Sequence, residues 1–195
     1  MHPRGLLAAV LVLAGVFTVG LALGHATAPV RLTGWLTGDR GEQLPPSTPT
    51  TLAIPSLSLQ AAVLPVGLDH NGAIEAPPMA RSHDAGWYAD GPTPGQYGAA
   101  VIVGHVDDAY GPAVFYHLDR LRPGDRIEIT RRDGEVTSFE VTGIRTYDKL
   151  ALPIDEVYGD ADRPELRLIT CGGRWVGGET GYADNVVVFA TLVSP

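Results

Sequence analysis

From Gly5 to Leu23 the chain reads GLLAAVLVLAGVFTVGLAL, an apolar run without a charge or a proline. At roughly 19 residues it is long enough to cross a bilayer as a helix. A four-residue stub carrying Arg4 and the start amine precedes it, which favours an N-terminus left in the cytoplasm. The pattern therefore predicts a cytoplasmic stub over 1–4 and a transmembrane signal-anchor over 5–23. A cleaved signal peptide is the competing reading, because Ala26-Thr27-Ala28 resembles a small-residue cleavage site. The length of the run and Pro29 just after the cut favour the uncleaved anchor. Under either reading the remainder of the chain lies outside the cytoplasm.

The apolar pattern then stops. Residues 24–51 read as a linker, and within it GDRGEQLPPSTPT (Gly38–Thr50) is rich in proline and has no apolar periodicity. Such a stretch is semi-extended and builds no core of its own. A folded domain is expected from near Leu52 to Pro195. There the apolar positions fall into short alternating or β-branched runs: Leu52–Ile54, Ala62–Val66, Ala99–Val103, Arg126–Thr130, Thr137–Val141, Ile144–Tyr147, Glu165–Thr170 and Asn185–Thr191. Turn signals separate them, among them Asp69-His70-Asn71-Gly72 and the Asp133-Gly134 pair between the fourth and fifth runs. Helical periodicity is weak, and the best short helix is Ala113–Arg120, after Pro112. About eight short strands bounded by turns define an all-β domain, either a sandwich or a closed barrel.

Composition narrows the functional classes. The 195 residues carry a formal net charge of −8, which argues against nucleic acid as a partner. Lys149 is the only lysine in an arginine-rich set of cations, and this bias assigns it no role. The chain has 1 cysteine, so no internal disulfide forms. A lone thiol outside the cytoplasm is exposed to oxidation, which asks for a reason beyond packing.

Two predicted strands end in reactive side chains. Val101-Ile102-Val103-Gly104 runs into His105, and Leu166-Arg167-Leu168-Ile169-Thr170 runs into Cys171. Strand ends sit at the rim of a barrel or sheet, where a rigid frame aims them. Gly104 before the histidine and Gly172-Gly173 after the cysteine admit close approach of backbone or substrate. Attack on a peptide bond needs a thiolate, a proton carrier for the leaving amine and donors for the oxyanion. Cys171 suits the first role and His105 the second. Arg174 is the only basic residue after Cys171, so it is the downstream candidate for the third. Free cysteine and histidine side chains titrate near about 8.5 and 6.5, which leaves open whether the site favours the thiolate or only a minor fraction carries it. His105-Val106-Asp107-Asp108 lacks a second histidine at ligand spacing, so no metal is expected.

On these residues the chain resembles the sortase family. Leu168-Ile169-Thr170-Cys171 is similar to the TLxTC signature, and Gly104-His105-Val106-Asp107 to the family's histidine segment. Pro94 to His105, Trp87-Tyr88, and the set Val114-Phe115, Leu118, Leu121 and Gly124-Asp125 match as well. Thr170-Cys171-Gly172-Gly173 and the closing Asp184 to Val188 most resemble class F, the actinobacterial sortases. The resemblance covers Leu52 to Val193. It implies a closed eight-stranded β-barrel with the cysteine and histidine at adjacent strand ends. It further implies cleavage of an LPxTG-type sorting signal between Thr and Gly, through a thioacyl enzyme resolved by a cell-wall amine such as a peptidoglycan precursor. No cofactor is implied. The partners would be secreted proteins bearing the signal, at a Gram-positive cell surface. Thr170 and Asn185 are the candidate substrate contacts. One departure stands out: the family commonly places an arginine just before the last strand, where this chain has Tyr182-Ala183-Asp184-Asn185. Arg174 folding back over Cys171 is the favoured substitute, with Asn185 as a neutral donor the alternative. Two other functions fit the chemistry less well. In L,D-transpeptidase-like acyl transferases a histidine block sits close before the cysteine, and here His105 is far upstream. A non-catalytic barrel that binds wall peptide or glycan is the other.

Overall fold

The computed structural model describes residues 43–159, 161–178 and 180–193. The expected stub and signal-anchor and most of the expected linker lie outside the described residues. Among the described residues no helix is long and apolar enough to cross a membrane.

The strands are β1 (Pro49–Ile54), β2 (Leu59–Val66), β3 (Ala85–Tyr88), β4 (Gly98–Val103), β5 (Asp107–Asp108), β6 (Gly111–Pro112), β7 (Arg126–Arg131), β8 (Val136–Asp148), β9 (Pro164–Gly177) and β10 (Gly181–Leu192). Eight of them close into a barrel in the order β1-β2-β3-β4-β9-β10-β8-β7, with β5 and β6 forming a separate two-stranded ribbon. The barrel is the closed alternative of the two that strand spacing left open. Two runs expected as separate strands, Thr137–Val141 and Ile144–Tyr147, are one strand, β8. Across from β10 the register steps from Phe189↔Gly143 to Ala190↔Val141. Thr142 is the extra residue of a bulge, which bends a strand without ending it. Its Oγ1 donates to the Phe189 carbonyl at 3.1 Å. The eighth place belongs to β3, four residues long (Ala-Gly-Trp-Tyr), too short and too uniformly buried to show alternation.

The expected helix over Ala113–Arg120 is instead a run of turns ending in a 3₁₀ turn, Leu118–Arg120. Its first amides are used elsewhere: Val114 N donates to Ser82 O and Phe115 N to His105 O, at 3.1 and 2.9 Å. The bonds that follow, such as Leu118 N to Phe115 O, span three residues, the tighter 3₁₀ spacing. This segment plugs the barrel. Phe115, Leu118 and Leu121 pack with Leu52, Ile54, Ile102, Ile127, Phe139, Leu166 and Leu168 in one buried cluster, and each such side chain contributes about 1.5–3 kcal/mol when fully buried. A second cluster, Val101, Val103, Ile169, Val187 and Val157, includes residues that alternate with those of the first. It covers the outer face of β4, β9 and β10 with the short helix α1 (Ile154–Tyr158). With both faces covered, the parallel β4–β9 pair reads as nearly continuous apolar runs.

The end of the linker belongs to the fold. Leu44 N donates to Gly95 O, and Arg132 N to Thr48 O, each at 2.9 Å. The fully buried Arg131 fastens this segment: its Nη2 donates to Pro45 O at 2.7 Å and its Nη1 to Pro94 O at 2.8 Å. Nη2 also meets Asp133 Oδ2 at 2.6 Å. That hydrogen bond holds the Asp133 carboxyl at about 2. Arg131→Met strands two carbonyls and should lower stability by about 2–4 kcal/mol, measurable by urea denaturation. Because the folded carboxyl titrates below its unfolded range, the ion pair contributes above pH 4 and is lost as pH falls toward 2. The gap between parent and variant should therefore narrow over that window.

Candidate active site

β4 and β9 run parallel, in register from Gly98↔Pro164 to Val103↔Ile169. Two residues past the last pair are His105 and Cys171. The same register that closes the barrel thus brings the two reactive residues side by side at one end of it. Alternation counted from Val103 and Ile169 assigns both to the outer face. Pairing continues to the residue before each: Gly104 N donates to Ile169 O at 3.1 Å, and Thr170 Oγ1 donates to Gly104 O at 2.8 Å.

Thr170 was expected to contact substrate. It is buried, and its hydroxyl serves Gly104, so it ties β9 to the residue that follows β4. Thr170→Val keeps the shape and leaves Gly104 O without that donor, at about 1–2 kcal/mol of stability. Turnover should fall about tenfold through misplacement of the pair and return in Thr170→Ser, as measured by peptide cleavage. The need for glycine at 104 is steric. A Cβ there would lie 2.6 Å from Phe115 Cδ2 and from Val114 Cγ1, so the plugging segment occupies the space a side chain would need.

His105 is half-buried, with Nε2 2.6 Å from Pro77 O. A carbonyl only accepts, so Nε2 carries a proton in this arrangement and Nδ1 is the nitrogen left to exchange one. No hydrogen bond joins the ring to Cys171 among the described residues.

Cys171 is half-buried. It pairs with Asn185 of β10, whose side-chain amide has no hydrogen bond among the described residues and is free for a substrate backbone. Gly172 and Gly173 let β9 bulge past β10. Gly173 has φ +73°, and a Cβ there would lie 1.9 Å from Asp184 Oδ2. Beyond the bulge, Trp175 packs edge-on against Tyr182 with ring centroids 5.1 Å apart. The Tyr182 hydroxyl hydrogen-bonds the Asp107 carboxylate, and this bond raises the phenol's pKa. Asp108 accepts from Ser82 Oγ at 2.5 Å and from the Tyr110 and Gly111 amides. These donors, Ser82 first, lower its pKa. Both carboxylates after His105 are thus used to hold the β5–β6 ribbon and the hairpin around the site.

Arg174 is exposed and makes no hydrogen bond or ion pair among the described residues. The cation at the sulphur is a different one: Lys149 Nζ lies 3.5 Å from Cys171 Sγ. Sequence reasoning gave Lys149 no role. The available signal was its being the sole lysine, at the end of the strand now seen as β8.

The Sortase domain family matches residues 52–193. No curated protein matches the chain. Among solved structures, the chain is similar to sortase C2 of Group B Streptococcus pilus island 1, at 17% identity and TM-score 0.57, covering 74% of this chain and 73% of that one. Sortase C of Clostridium perfringens SM101 is similar at 15% identity and TM-score 0.56, with 78% and 73% covered. A sortase D5 transpeptidase of Clostridium perfringens is similar at 19% identity and TM-score 0.56, with 75% and 79% covered.

Proposed function

The chain belongs to the sortase family and is a cysteine transpeptidase acting on sorting signals, and from that premise we propose that Cys171 is its nucleophile and His105 its acid and base. The observation that carries this assignment is the parallel β4–β9 register, which sets the two residues side by side, each two residues past the last pair. The signal is proposed to be of LPxTG type, cut between Thr and Gly. The Cys171 thiolate attacks the Thr carbonyl carbon, forming a C–S bond while the carbonyl electron pair moves onto oxygen. Collapse restores the carbonyl and breaks the C–N bond, and the leaving amine takes a proton from His105. An incoming cell-wall amine then attacks the thioester, gives its proton to His105 and releases the thiolate. A thioester retains enough acyl energy for an amine to compete with water.

Asn185, cross-strand from Cys171 with a free amide, is proposed to donate to the signal's backbone. Arg174, exposed and unpaired on the hairpin, is proposed as a charged substrate contact there. The class F reading is supported by the Thr-Cys-Gly-Gly stretch and by Asp184 to Val188. Anchoring by residues 5–23, with the barrel on the outer face of the membrane, is supported by the length and apolarity of that run.

The test is peptide cleavage. An LPxTG peptide incubated with the protein and an oligoglycine amine should yield the peptide joined to the amine through Thr. A peptide left uncut, or cut at another bond, would overturn the assignment of signal and bond.

A further inference from the structure

Lys149 is the only lysine of the chain, and the fold delivers it to the reactive sulphur through three adjacent strands. β8 ends at Asp148, which pairs with Asp184 of β10. Asp184 pairs in turn with Gly172 of β9, and its neighbour Asn185 pairs with Cys171. A 3₁₀ turn follows over Lys149–Ala151, and the Asp148 carboxylate caps it by accepting from Leu150 N at 2.8 Å. The ammonium is held on two sides. Nζ is 3.5 Å from Cys171 Sγ and donates at 3.0 Å to Thr180 O, between β9 and β10. An ammonium has three N–H groups, so one remains for a substrate atom. No carboxylate pairs with Lys149 among the described residues, which leaves its charge acting on the sulphur.

We propose that Lys149 is a catalytic residue of the transpeptidation, its ammonium holding the Cys171 thiolate and donating its third N–H to the oxyanion of the tetrahedral intermediate. The inference rests on Cys171 being the nucleophile. When sulphur attacks, negative charge passes from the thiolate to the carbonyl oxygen beside it, and one fixed cation serves both positions. Lys149 keeps all its protons, since the leaving amine is protonated by His105. The arrangement accounts for the absence of an arginine before the last strand. The charged donor comes from the end of β8, while the Tyr182-Ala183-Asp184-Asn185 stretch holds no arginine. Arg174 lies exposed and makes no contact with the sulphur. Hydrogen bonds from a charged donor are about twice as strong as neutral ones, and removal of one oxyanion donor commonly slows turnover about 10²–10³-fold.

The experiment compares the full chain with Lys149→Met, Lys149→Arg and Arg174→Ala. It reads kcat/KM for peptide cleavage and the rate of iodoacetamide alkylation at neutral pH, which reports Cys171 alone because the chain has no other thiol. Lys149→Met should lower kcat/KM about 10²–10³-fold and slow alkylation several-fold, because the cation 3.5 Å from Sγ no longer stabilises charge on the attacking sulphur. Lys149→Arg should recover most of both, and Arg174→Ala should leave alkylation at the parental rate. A circular-dichroism melt verifies folding; if the methionine variant is unfolded, Lys149→Gln, which keeps a donor and drops the charge, is read by the same criteria. A parent that cuts the peptide and a folded Lys149→Met or Lys149→Gln that cuts it equally well overturns the role of Lys149. A parent that leaves every sorting peptide uncut overturns instead the function on which the inference rests.

Discussion

Cys171→Ala should abolish transpeptidation, a loss of at least about 10⁴-fold in kcat/KM, and leave the barrel as stable as the parent. No other side chain can replace the thiol, because the chain has no second cysteine. The stability half of the expectation follows from where Cys171 sits. It is half-buried within β9, two residues past the last pair with β4 and outside both buried clusters, so removing its sulphur leaves no cavity in the core. The barrel is held by residues such as Phe139, Leu166 and Leu168, which have no contact with solvent. Peptide cleavage and urea denaturation on the same preparation separate the two effects. An inactive variant that is also unfolded would show that the thiol serves packing, and a folded, active one would remove it from the chemistry.

The second large effect is expected at His105. His105→Ala should lower peptide cleavage about 10³–10⁴-fold, the upper part of what one positioned acid/base residue supplies. The geometry refines this expectation. With Nε2–H committed to Pro77 O, the ring is fixed in one orientation and Nδ1 is the site of proton exchange. The ring makes no hydrogen bond to the sulphur among the described residues, so its contribution should appear chiefly at the leaving group. An activated ester, whose leaving group departs without a proton, should therefore lose much less than the amide, within about 10²-fold of the parent. Equal losses on both substrates would place His105 at activation of the thiol. Equal activity of parent and variant on the amide would remove it from the reaction.

The position of His105 just past a strand was legible because it follows an apolar β-branched run; Cys171 follows one too, but β9 continues through it to Gly177, so the cysteine lies within a strand and not at its end. What turned the two positions into one site, the parallel register of β4 and β9, was not legible, since pairing between distant segments leaves no local mark. The same reason hides the surroundings of Thr170. Beside a reactive cysteine it looks like a substrate contact, yet strand alternation turns it inward, where its hydroxyl meets Gly104. β3 was hidden by its shortness, and the continuity of β8 by the bulge at Thr142, which shifts the alternation between its two halves. The turns over 113–120 carried helical spacing because Phe115, Leu118 and Leu121 must face one core, a requirement that 3₁₀ turns meet as well as an α-helix. Lys149 was the most consequential omission. It lies in sequence well away from both His105 and Cys171, just past a strand separated from β9 by β10, and only the barrel's strand order brings it to the sulphur. Arg174 is near Cys171 in sequence, but the Gly172-Gly173 bulge carries the strand past β10 and leaves its side chain in solvent.

The central claim is that the acyl group passes through the Cys171 sulphur, and intact-mass spectrometry of the full chain tests it most directly. The protein is mixed with an LPxTG peptide, without an added amine, and quenched in acid within one turnover. The predicted result is a mass gain equal to the peptide up to its Thr residue, mapped to Cys171, discharged when oligoglycine is added and absent from Cys171→Ala. Cleaved peptide appearing with no adduct at Cys171, or with the adduct on another residue, would contradict it.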